Sequence, residues 1–554
     1  MARKDHIVLR VEGMTCDGCA RHVTEALKGV SGVEEAQVGS WRSGQAVVVA
    51  DSTVEENVFV KAVKKAGYRA IVAERRDLEG ERRVPPSDGP EYEMMIIGGG
   101  SAAFAAAIKA AELGAKVAII ESGTIGGTCV NVGCVPSKTL IRAAEDCYKR
   151  SYHDFEGKAA CPAPQDWQRI IQMKDELVAE LRKEKYINVA EAYPNISILK
   201  GEARLTGKRN LSVDGKSYSP GKILIATGSM PWAPPIPGLH ESGYLDSTAA
   251  LNMPDLPKTM TVIGAGAIGL ELAQLFARFG VKVTLLEVLP RIAATEEPEI
   301  SIALTDYLQR EKIDVHAGVK IERIEKNNAS YTITIEKDGK KESVLSEQLI
   351  VATGRRPNTA HLNLDVAGVH VGKRGEIIVN QHLQTSNPDI YAAGDVVGDP
   401  MFVYITAYAG ALAAENALNK SGKVYDLFAL PRVTFTDPQI ASVGLTEAQA
   451  KEKGHNVKTS TIFAKDVPRA IAARDSRGLI KLVADEEDGR LLGAHVLAVE
   501  AGDVIQEATL AIRFGLTYKD IISTFHPYLT WVEGIKLAAI TFDKDVHQLS
   551  CCAA

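Results

Sequence analysis

The sequence has no long apolar run, no strong excess of either charge and few cysteines. No stretch reaches the roughly 20 consecutive apolar residues that a membrane-spanning helix needs, so a transmembrane segment is not expected. Acidic residues outnumber basic ones by only six, 70 against 64, which gives no general attraction to nucleic acid or acidic membranes. The apolar segment after the basic start, residues 7–11, is short and interrupted by Arg10, so a secretory signal is not expected either. These absences predict a cytoplasmic protein.

The few cysteines occur mostly in close pairs. Of the eight in the chain, six form three pairs: Cys16 with Cys19, Cys129 with Cys134, and Cys551 with Cys552. Thiols stay reduced in the cytoplasm, so close pairs there indicate catalysis or metal binding more than structural disulfides. Cys147 and Cys161 are predicted to be ordinary thiols.

A chain of 554 residues is expected to form three or four domains. Residues 6–73 form the first, with the order strand, helix, strand, strand, helix, strand. Hydrophobic periodicity predicts the strands at 6–11, 33–38, 45–50 and 68–72, and the helices at 17–28 and 54–66. Residues 74–91 are rich in charge, proline and glycine, which predicts a flexible linker.

Cys16 and Cys19 lie where the first strand of this unit gives way to its first helix. A helix N-terminus lowers the pKa of a thiol, so thiolate is available to a soft cation. No nearby His or Cys completes a tetrahedral zinc set, and two sulfurs suit near-linear coordination. A thioredoxin-like redox pair and a chance pair remain alternatives. The unit resembles the heavy-metal-associated domain, which implies a ferredoxin-like fold that binds a soft metal through Cys16 and Cys19.

A glycine-rich fingerprint follows the linker. A buried strand at 94–97 leads into Gly98, Gly100 and Ala103, then into an alanine-rich helix and a strand that ends at Glu121. Glycines permit a tight turn and a close approach of a pyrophosphate to the helix N-terminus, and the acid binds a ribose hydroxyl. This arrangement predicts a dinucleotide site.

The same arrangement returns at 261–287. Gly264, Gly266 and Gly269 lie between a strand and a helix, and the next strand ends at Glu287. Two fingerprints predict two dinucleotides. Strands at 223–226 and 350–353 end in glycine turns where the chain crosses between the two nucleotide domains, and Asp395 follows a later strand. From residue 429 onward, strands at 433–435, 461–464, 478–483 and 491–496 predict an antiparallel sheet with covering helices.

The run 126–138 places Cys129 and Cys134 at the opening of a predicted helix, soon after the first fingerprint. The two cysteines are expected to lie near the first dinucleotide and could close a disulfide across one helical turn. A stabilising bridge or two buried thiols remain the alternative.

From residue 92 to the end, these motifs together resemble the flavin-dependent pyridine nucleotide disulfide oxidoreductases. The resemblance implies FAD at the first fingerprint, with Asp395 at its ribitol or pyrophosphate, and a nicotinamide cofactor at the second. It implies an ion pair between Lys138 and Glu271 beneath the flavin, with Cys134 facing the flavin and Cys129 as the interchange thiol. It also implies a dimer interface in the C-terminal region. The remaining residues assigned to the cofactor sites are Thr128, Thr227, Gly228 and Gly354.

One stretch departs from the ordinary disulfide reductases of that family. They carry a His-Pro-Thr-x-x-Glu run that protonates a leaving thiol, but here Glu533 follows His526 by seven places instead of five. The His526–Glu533 dyad is therefore in doubt. Tyr528 takes the threonine position, where it could steady a thiolate or a metal cation, or serve only as an interface aromatic.

Near the end of the sequence, Cys551 and Cys552 form an adjacent pair that could hand a cation onward. Three dithiols on a flavoprotein frame resemble the mercury(II)-reducing members of the family. The resemblance implies Hg(II)–thiol complexes as substrate and a relay. On that reading Cys16 and Cys19 collect Hg(II), and the tail pair carries the ion to Cys129 and Cys134 of the other subunit. An incidental exposed pair remains the alternative for Cys551 and Cys552.

The choice of nicotinamide is where two arguments disagree. Glu287 at its strand end favours NADH, because an acid there repels a 2′-phosphate. The resemblance implies NADPH, with Arg291 on the phosphate, and NADPH is our prediction. The alternatives to mercury(II) reduction are an NAD(P)H-dependent reductase of a small disulfide of the dihydrolipoamide type, and a non-enzymatic soft-metal chaperone.

The predicted fold class is α/β, with two Rossmann-like dinucleotide-binding domains, an α+β dimerisation domain and a preceding ferredoxin-like βαββαβ metal-binding domain. A homodimer is expected, with no nucleic-acid or membrane partner. The predicted boundaries are 1–73 for the metal-binding domain, 74–91 for the linker, 92–248 and 358–428 for the two FAD-binding parts, 249–357 for the nicotinamide-binding domain, and 429–554 for the dimerisation domain with its dithiol tail.

Overall fold

The computed structural model describes residues 4–38, 41, 44–77, 90–151 and 166–548. The chain divides into two compact units, Met1–Pro90 and Glu91–Ala554. In the described part of the chain, no helix is both long enough and apolar enough to cross a membrane.

The N-terminal unit is an antiparallel sheet of four strands with two helices, in the order β2-β3-β1-β4. The predicted βαββαβ order is confirmed. Its elements are β1 (Lys4–Glu12), α1 (Asp17–Lys28), β2 (Val33–Val38), β3 (Gln45–Asp51), α2 (Glu56–Lys65) and β4 (Arg69–Asp77).

The last strand of this unit is longer than predicted. Residues 74–77, assigned above to the linker, belong to β4. Arg75 explains the extension, because its side chain donates to Asp5 at 2.6 Å and to the carbonyls of Val54 and Ser52. The linker prediction is therefore wrong for these four residues, and residues 78–89 lie outside the described part.

The second unit begins with a parallel five-stranded sheet, in the order β21-β11-β5-β6-β7. All four residues of its central strand, β5, are buried, as a strand covered on both faces requires. The elements from this strand to the first crossing are β5 (Met94–Ile97), α3 (Ser101–Glu112), β6 (Val117–Glu121), α4 (Gly127–Asn131), α5 (Cys134–Ser151), α6 (Trp167–Arg182), α7 (Asn188–Glu191), β7 (Ile196–Lys200), β8 (Ala203–Leu205), β9 (Leu211–Val213), β10 (Lys216–Tyr218), β11 (Lys222–Ile225) and β12 (Ser229–Pro231). The fifth strand of the sheet, β21 (Ile390–Ala392), comes from much later in the chain.

A second parallel sheet carries the second fingerprint, with four strands in the order β15-β14-β13-β19. A three-stranded antiparallel sheet, β16-β17-β18, is inserted before its last strand. The elements are α8 (Leu239–Ser242), α9 (Ser247–Ala250), β13 (Thr259–Ile263), α10 (Ala267–Arg278), β14 (Lys282–Glu287), α11 (Pro298–Arg310), β15 (Asp314–Ala317), β16 (Lys320–Asn327), β17 (Ser330–Lys337), β18 (Lys340–Ser346), β19 (Gln348–Val351) and β20 (Arg355–Pro357).

The chain enters and leaves this second sheet through one ribbon. β12 and β20 pair antiparallel, with Ser229 opposite Pro357 and Pro231 opposite Arg355. The two crossings predicted from the glycine turns are therefore hydrogen-bonded to each other.

The remaining chain forms an antiparallel five-stranded sheet, in the order β22-β23-β26-β25-β24. The predicted antiparallel sheet is present, but β23 was missed. The elements are α12 (Val403–Asn419), β22 (Arg432–Thr434), β23 (Gln439–Gly444), α13 (Glu447–Glu452), β24 (Val457–Phe463), α14 (Pro468–Ala473), β25 (Leu479–Asp485), β26 (Leu491–Ala498), α15 (Ala501–Arg513), α16 (Tyr518–Ser523) and α17 (Glu533–Ile540).

A buried lysine joins this last sheet to the second nucleotide sheet. Lys481 on β25 is only 2% exposed, and its ammonium donates to Glu297 at 3.0 Å, Glu299 at 2.8 Å and Glu447 at 2.9 Å. Glu297 and Glu299 lie at the start of α11, and Glu447 begins α13. The three carboxylates are close enough to hold a cation, and the lysine ammonium is the cation they hold.

Candidate active site and metal-binding cysteines

The two cysteines of the N-terminal unit meet at the start of α1. Cys16 is the extended residue that precedes the helix, and Cys19 lies in its first turn. Their sulfur atoms are 3.4 Å apart, close enough for both to contact one cation. Gly13, with φ of +95°, makes the turn that leads from β1 into this loop.

The Cys19 sulfur is surrounded by hydrogen-bond donors. The backbone N–H of Thr15, the hydroxyls of Tyr68 and Thr15, and the Cys16 thiol together lower the pKa of Cys19 to about 6. The same contact raises the pKa of Tyr68, because its hydroxyl donates to the sulfur. Cys19 is therefore a thiolate at neutral pH, the form that binds a soft metal.

Alkylation of Cys19 by iodoacetamide tests this assignment. The rate is expected to rise as the pH passes about 6 and to level off above it, because only the thiolate reacts. Tyr68→Phe is expected to move the midpoint to higher pH, and Tyr92→Phe, outside this unit, is expected not to move it. Peptide mass spectrometry of the reduced full chain gives the rate at Cys19. A midpoint near the ordinary thiol value of about 8.5 would contradict the assignment.

The second cysteine pair does not lie on one helix. Cys129 belongs to the five-residue helix α4, the helix ends at Asn131, and Cys134 begins α5. The expectation of two cysteines across one helical turn is therefore wrong. A side chain at Gly133 would place its Cβ 3.0 Å from the carbonyl oxygen of Thr128, so glycine lets the break pack closely against α4.

The turn that carries this dithiol, residues 126–134, is called the redox turn below. It is in contact with the first fingerprint. The N–H of Gly126 donates to Gly99 at 2.8 Å. A Cβ at Gly127, whose φ is +65°, would lie 2.6 Å from the Cα of Gly100. The structure thus brings the dithiol next to the loop predicted to bind the first dinucleotide, as the sequence predicted.

The two thiols differ in acidity. A hydrogen bond from the Cys129 thiol lowers the pKa of Cys134 to about 7 against the opposing effect of burial, and the Lys138 ammonium lowers it further. The same hydrogen bond and burial raise the pKa of Cys129. Both side chains are partly exposed. The pair therefore holds its negative charge on Cys134 and its remaining proton on Cys129.

The predicted ion pair is present. Lys138 on α5 donates to Glu271 on α10 at 2.7 Å, and Glu271 is nearly buried. The other carboxylate oxygen of Glu271 accepts the N–H of Phe435 at 2.9 Å, and the Lys138 ammonium lies 4.7 Å from the centre of the Phe435 ring. One contact thus joins the redox helix, the second nucleotide domain and the dimerisation sheet.

The first fingerprint has the geometry of a dinucleotide-binding turn. Gly98 has φ of +111°, and a Cβ there would lie 2.3 Å from the carbonyl oxygen of Ala226. Gly100 begins α3 without a side-chain cap, which leaves the N–H groups of the first turn to a pyrophosphate, and Ala103 is fully buried beneath them. Glu121 accepts the N–H groups of Gly99 and Gly123, both at 2.7 Å, which holds its carboxylate at the strand end.

The second fingerprint, predicted to bind the nicotinamide cofactor, repeats this construction. A Cβ at Gly264 would lie 2.6 Å from the oxygen of Ala352, and one at Gly269 would lie 1.8 Å from the oxygen of Gly264. A Cβ at Gly266 would meet nothing within 4 Å, so space is open at the start of α10. Glu287 accepts the N–H of Ala265 at 2.6 Å, as Glu121 does in the first fingerprint.

Arg291 lies just beyond that second strand end. One nitrogen of its guanidinium donates to the carbonyl of Ala294 at 3.0 Å, and the other terminal nitrogen has no partner among the described residues. This unpartnered nitrogen is buried, and its use by a 2′-phosphate stays a prediction.

The other predicted cofactor residues lie around the crossing ribbon and the redox turn. Thr227 donates to the carbonyl of Asn358 at 2.7 Å, and Asp395 accepts the hydroxyl of Ser229 at 2.7 Å. Gly228 and Gly354 have positive φ, +68° and +124°, in the two crossings. The carbonyl of Thr128, on α4, accepts the N–H of Val132 at 2.9 Å.

Tyr186 was not identified from the sequence. It lies in the π-helical turn Lys183–Ile187 that follows α6, and its hydroxyl is 3.4 Å from that of Ser101. Burial raises the pKa of Tyr186, and the charges of Cys129 and Cys134 raise it further. No motif marks this tyrosine, although π-helical turns are frequent at functional sites.

The doubt about the His526–Glu533 dyad is resolved. His526 contacts Glu507 on α15 at 2.7 Å, whereas Glu533 accepts the N–H of Leu529 at 3.1 Å. Tyr528 lies in the same loop and is half exposed. The predicted tail pair, Cys551 and Cys552, and Cys161 lie outside the described residues.

Family comparisons agree with this architecture. The model for pyridine nucleotide-disulphide oxidoreductases matches residues 92–411, the dimerisation-domain model of the same family matches 430–539, and the heavy-metal-associated domain matches 8–69. The chain belongs to the pyridine nucleotide-disulphide oxidoreductase family, and its dimerisation domain supports a homodimer.

Within that family, the chain is similar to mercuric reductases. The mercuric reductases of Staphylococcus aureus and Lysinibacillus sphaericus are each 45% identical over 98% of this chain, and 98% and 99% of their own lengths are covered. That of Streptomyces lividans is 47% identical over 83% of this chain and 98% of its own length. Among solved structures, the HOCl-induced flavoprotein disulfide reductase RclA from Escherichia coli has a TM-score of 0.72 and 31% identity. The match covers 81% of this chain and 99% of that one.

Proposed function

We propose that this protein is a mercury(II) reductase that uses NADPH, FAD and the Cys129–Cys134 dithiol to reduce Hg(II) to Hg(0). The observation that carries the proposal is the redox turn, where a dithiol with its charge on Cys134 packs against the first fingerprint. The similarity to mercuric reductases over nearly the whole chain supports it.

The overall reaction balances with one hydride. NADPH and Hg(II) give NADP⁺, a proton and Hg(0), because a hydride carries the two electrons that Hg(II) accepts. The first fingerprint, Glu121 and Asp395 would hold FAD, which when bound would supply the transfer of electrons between the nicotinamide and the metal site.

The protein's own residues bind and orient the substrate. Cys134, whose pKa is lowered to about 7, supplies the thiolate of the pair, and Cys129 gives up its proton as its own Hg–S bond forms. Two thiolates suit the near-linear geometry that soft Hg(II) favours. Glu271 holds the Lys138 ammonium beside the dithiol, where its positive charge favours the thiolate form.

We further propose a route for the metal. Cys16 and Cys19 take Hg(II) from small thiols, the tail pair Cys551 and Cys552 accepts it, and thiol exchange delivers it to the redox dithiol of the other subunit, with Tyr528 at that entrance. The reaction is proposed to occur in the cytoplasm, where these thiols stay reduced. We also propose that residues 92–248 and 358–428 bind FAD, that residues 249–357 bind the nicotinamide cofactor, and that residues 429–554 form the dimerisation domain with its dithiol tail.

Mercury vapour measured together with NADPH oxidation tests the function. The purified yellow protein is expected to oxidise NADPH only when Hg(II) is added, and to release volatile mercury in equal amount. Efficient turnover of a dihydrolipoamide-type disulfide with none on Hg(II) would make the protein a small-disulfide reductase instead. Metal binding without flavin absorbance would indicate a chaperone.

The preference for NADPH is tested at Arg291. Arg291→Ala is expected to lower kcat/KM for NADPH by about 10- to 100-fold, the effect of losing a charged hydrogen bond, and to leave kcat/KM for NADH nearly unchanged. The control is Arg310→Ala, which removes an exposed arginine from the same domain. Equal losses with both nucleotides, or a wild type that strongly prefers NADH, would contradict the assignment.

A further inference from the structure

The loop that carries Tyr528 is closed by its own hydrogen bonds. The hydroxyl of Thr530 donates to the carbonyl of Pro527 at 2.7 Å, and the N–H of Leu529 donates to Glu533 at 3.1 Å. Leu529 has φ of +60°, a conformation that a leucine rarely adopts. The loop therefore holds one defined shape, with Tyr528 half exposed on it.

His526 anchors this loop, and both of its ring nitrogens face hydrogen-bond acceptors. Nε2 lies 2.7 Å from the Glu507 carboxylate, and Nδ1 lies 3.0 Å from the carbonyl oxygen of Thr524. Each ring nitrogen is therefore taken up by a contact within the protein, and the side chain is only 4% exposed.

Both ring nitrogens are occupied in this geometry, so His526 has no free nitrogen with which to take a proton from a thiol. Glu507 also relies on this contact with His526 for hydrogen bonding, because its second carboxylate oxygen is buried and has no partner among the described residues. A second tether reaches the same carbonyl, since Lys536 donates to Thr524 at 3.2 Å. The His526–Glu507 contact is thus shielded from solvent and fastens the loop to α15.

We propose that Glu507 and His526 are positioning residues that orient Tyr528 for delivery of Hg(II), and that His526 is not an acid–base catalyst. The proposal rests on the proposed function, in which Tyr528 stands at the metal entrance. Glu507 acts through His526, and His526 acts through the loop.

A double-mutant cycle on the full-length protein tests the proposal. Glu507→Gln keeps the shape of the side chain and removes its charge, and Tyr528→Phe removes the hydroxyl that is to be positioned. Asp503→Asn, an exposed carboxylate on the same helix, is the matched control. Glu507→Asp, which keeps the charge but shortens the reach, replaces Glu507→Gln if that variant does not fold.

The expected result is a loss that depends on Tyr528. Glu507→Gln should lower kcat/KM for Hg(II) by about 10-fold, as outer-shell substitutions do, and by less than about two-fold in the Tyr528→Phe background. The rate of flavin reduction by NADPH should not change. Equal losses in both backgrounds, or recovery of the His526→Gln variant with added imidazole, would overturn the proposal.

A second readout does not depend on turnover. With 3-fluorotyrosine at position 528, the ¹⁹F resonance is expected to shift or broaden in Glu507→Gln and to stay unchanged in Asp503→Asn. An unchanged resonance in Glu507→Gln would overturn the positioning role. A wild type that does not reduce Hg(II) would instead refute the proposed function, and the ¹⁹F result would still decide the positioning role.

Discussion

Cys134→Ser is expected to lower the rate of Hg(II) reduction by at least about 10³-fold, the scale of losing a residue that bonds to the reacting atom. The serine hydroxyl does not ionise near pH 7, where the pKa of Cys134 places its thiolate, and oxygen is a poor ligand for a soft cation. Mercury vapour and NADPH oxidation are measured together.

Cys129→Ser is expected to show a loss of the same order, because one thiolate cannot complete the two-coordinate site. Flavin reduction by NADPH should continue in both variants, which separates metal binding from electron supply. Cys147→Ser makes the same chemical change further along α5, outside the redox turn, and serves as the matched control. Unchanged release of Hg(0) from both Cys134→Ser and Cys129→Ser would contradict the proposed function.

Lys481→Met is expected to destabilise the protein by about 3–5 kcal/mol, the usual effect of breaking a buried ion pair by removing one partner. Lys481 and Glu297 are each 2% exposed, so methionine fills the space but leaves the Glu297 carboxylate buried with no ammonium. Because this chain has several domains, the transition that reports the C-terminal sheet should be followed by calorimetry and hydrogen exchange.

The matched control for this variant is Lys458→Met on the neighbouring strand β24. Lys458 pairs with Asp543 at 2.7 Å, but both side chains are substantially exposed, so the expected loss is below about 1 kcal/mol. Lys481→Met combined with Glu297→Gln should recover part of the stability. Equal losses from Lys481→Met and Lys458→Met would contradict the buried-pair assignment.

The stability that the Lys481 cluster contributes is expected to depend on pH. Burial opposes the ionisation of Glu299, but the hydrogen bond and charge of Lys481, together with a backbone hydrogen bond, outweigh burial and lower the pKa of Glu299. Bonds from Lys451 and Lys481 lower the pKa of Glu447 in the same direction. Their contribution to stability is therefore present above the unfolded-state pKa and is lost as the pH falls through the lower folded-state values.

The N-terminal unit shows how much of the secondary structure local sequence patterns can predict. All six of its elements were predicted, because alternation in strands and the 3.6-residue period in helices are local signals. The end of β4 was misjudged, because the contact of Arg75 with Asp5 spans 70 residues and leaves no local trace. Both fingerprints were likewise visible, since glycine spacing and a strand-end acid lie within one short segment.

The redox turn was only partly predictable. Its residues and its place beside the first fingerprint followed from the sequence, but the break between Cys129 and Cys134 did not. Gly133 is compatible with a helix as well as with a break, and its close approach to Thr128 exists only in the folded turn. Tyr186 was missed for a related reason, because no sequence pattern distinguishes a π-helical turn from an α-helical one.

The sequence by itself determined the order of the elements, the two nucleotide fingerprints and the cysteine pairs, because each is encoded by neighbouring residues. Only the tertiary structure decided which distant charges meet. Glu507 replaces Glu533 as the partner of His526 across 19 residues, and Lys481 meets Glu297 across 184. Such pairs form when packing buries two charges in the same place, and a buried charge needs a partner wherever the chain supplies it.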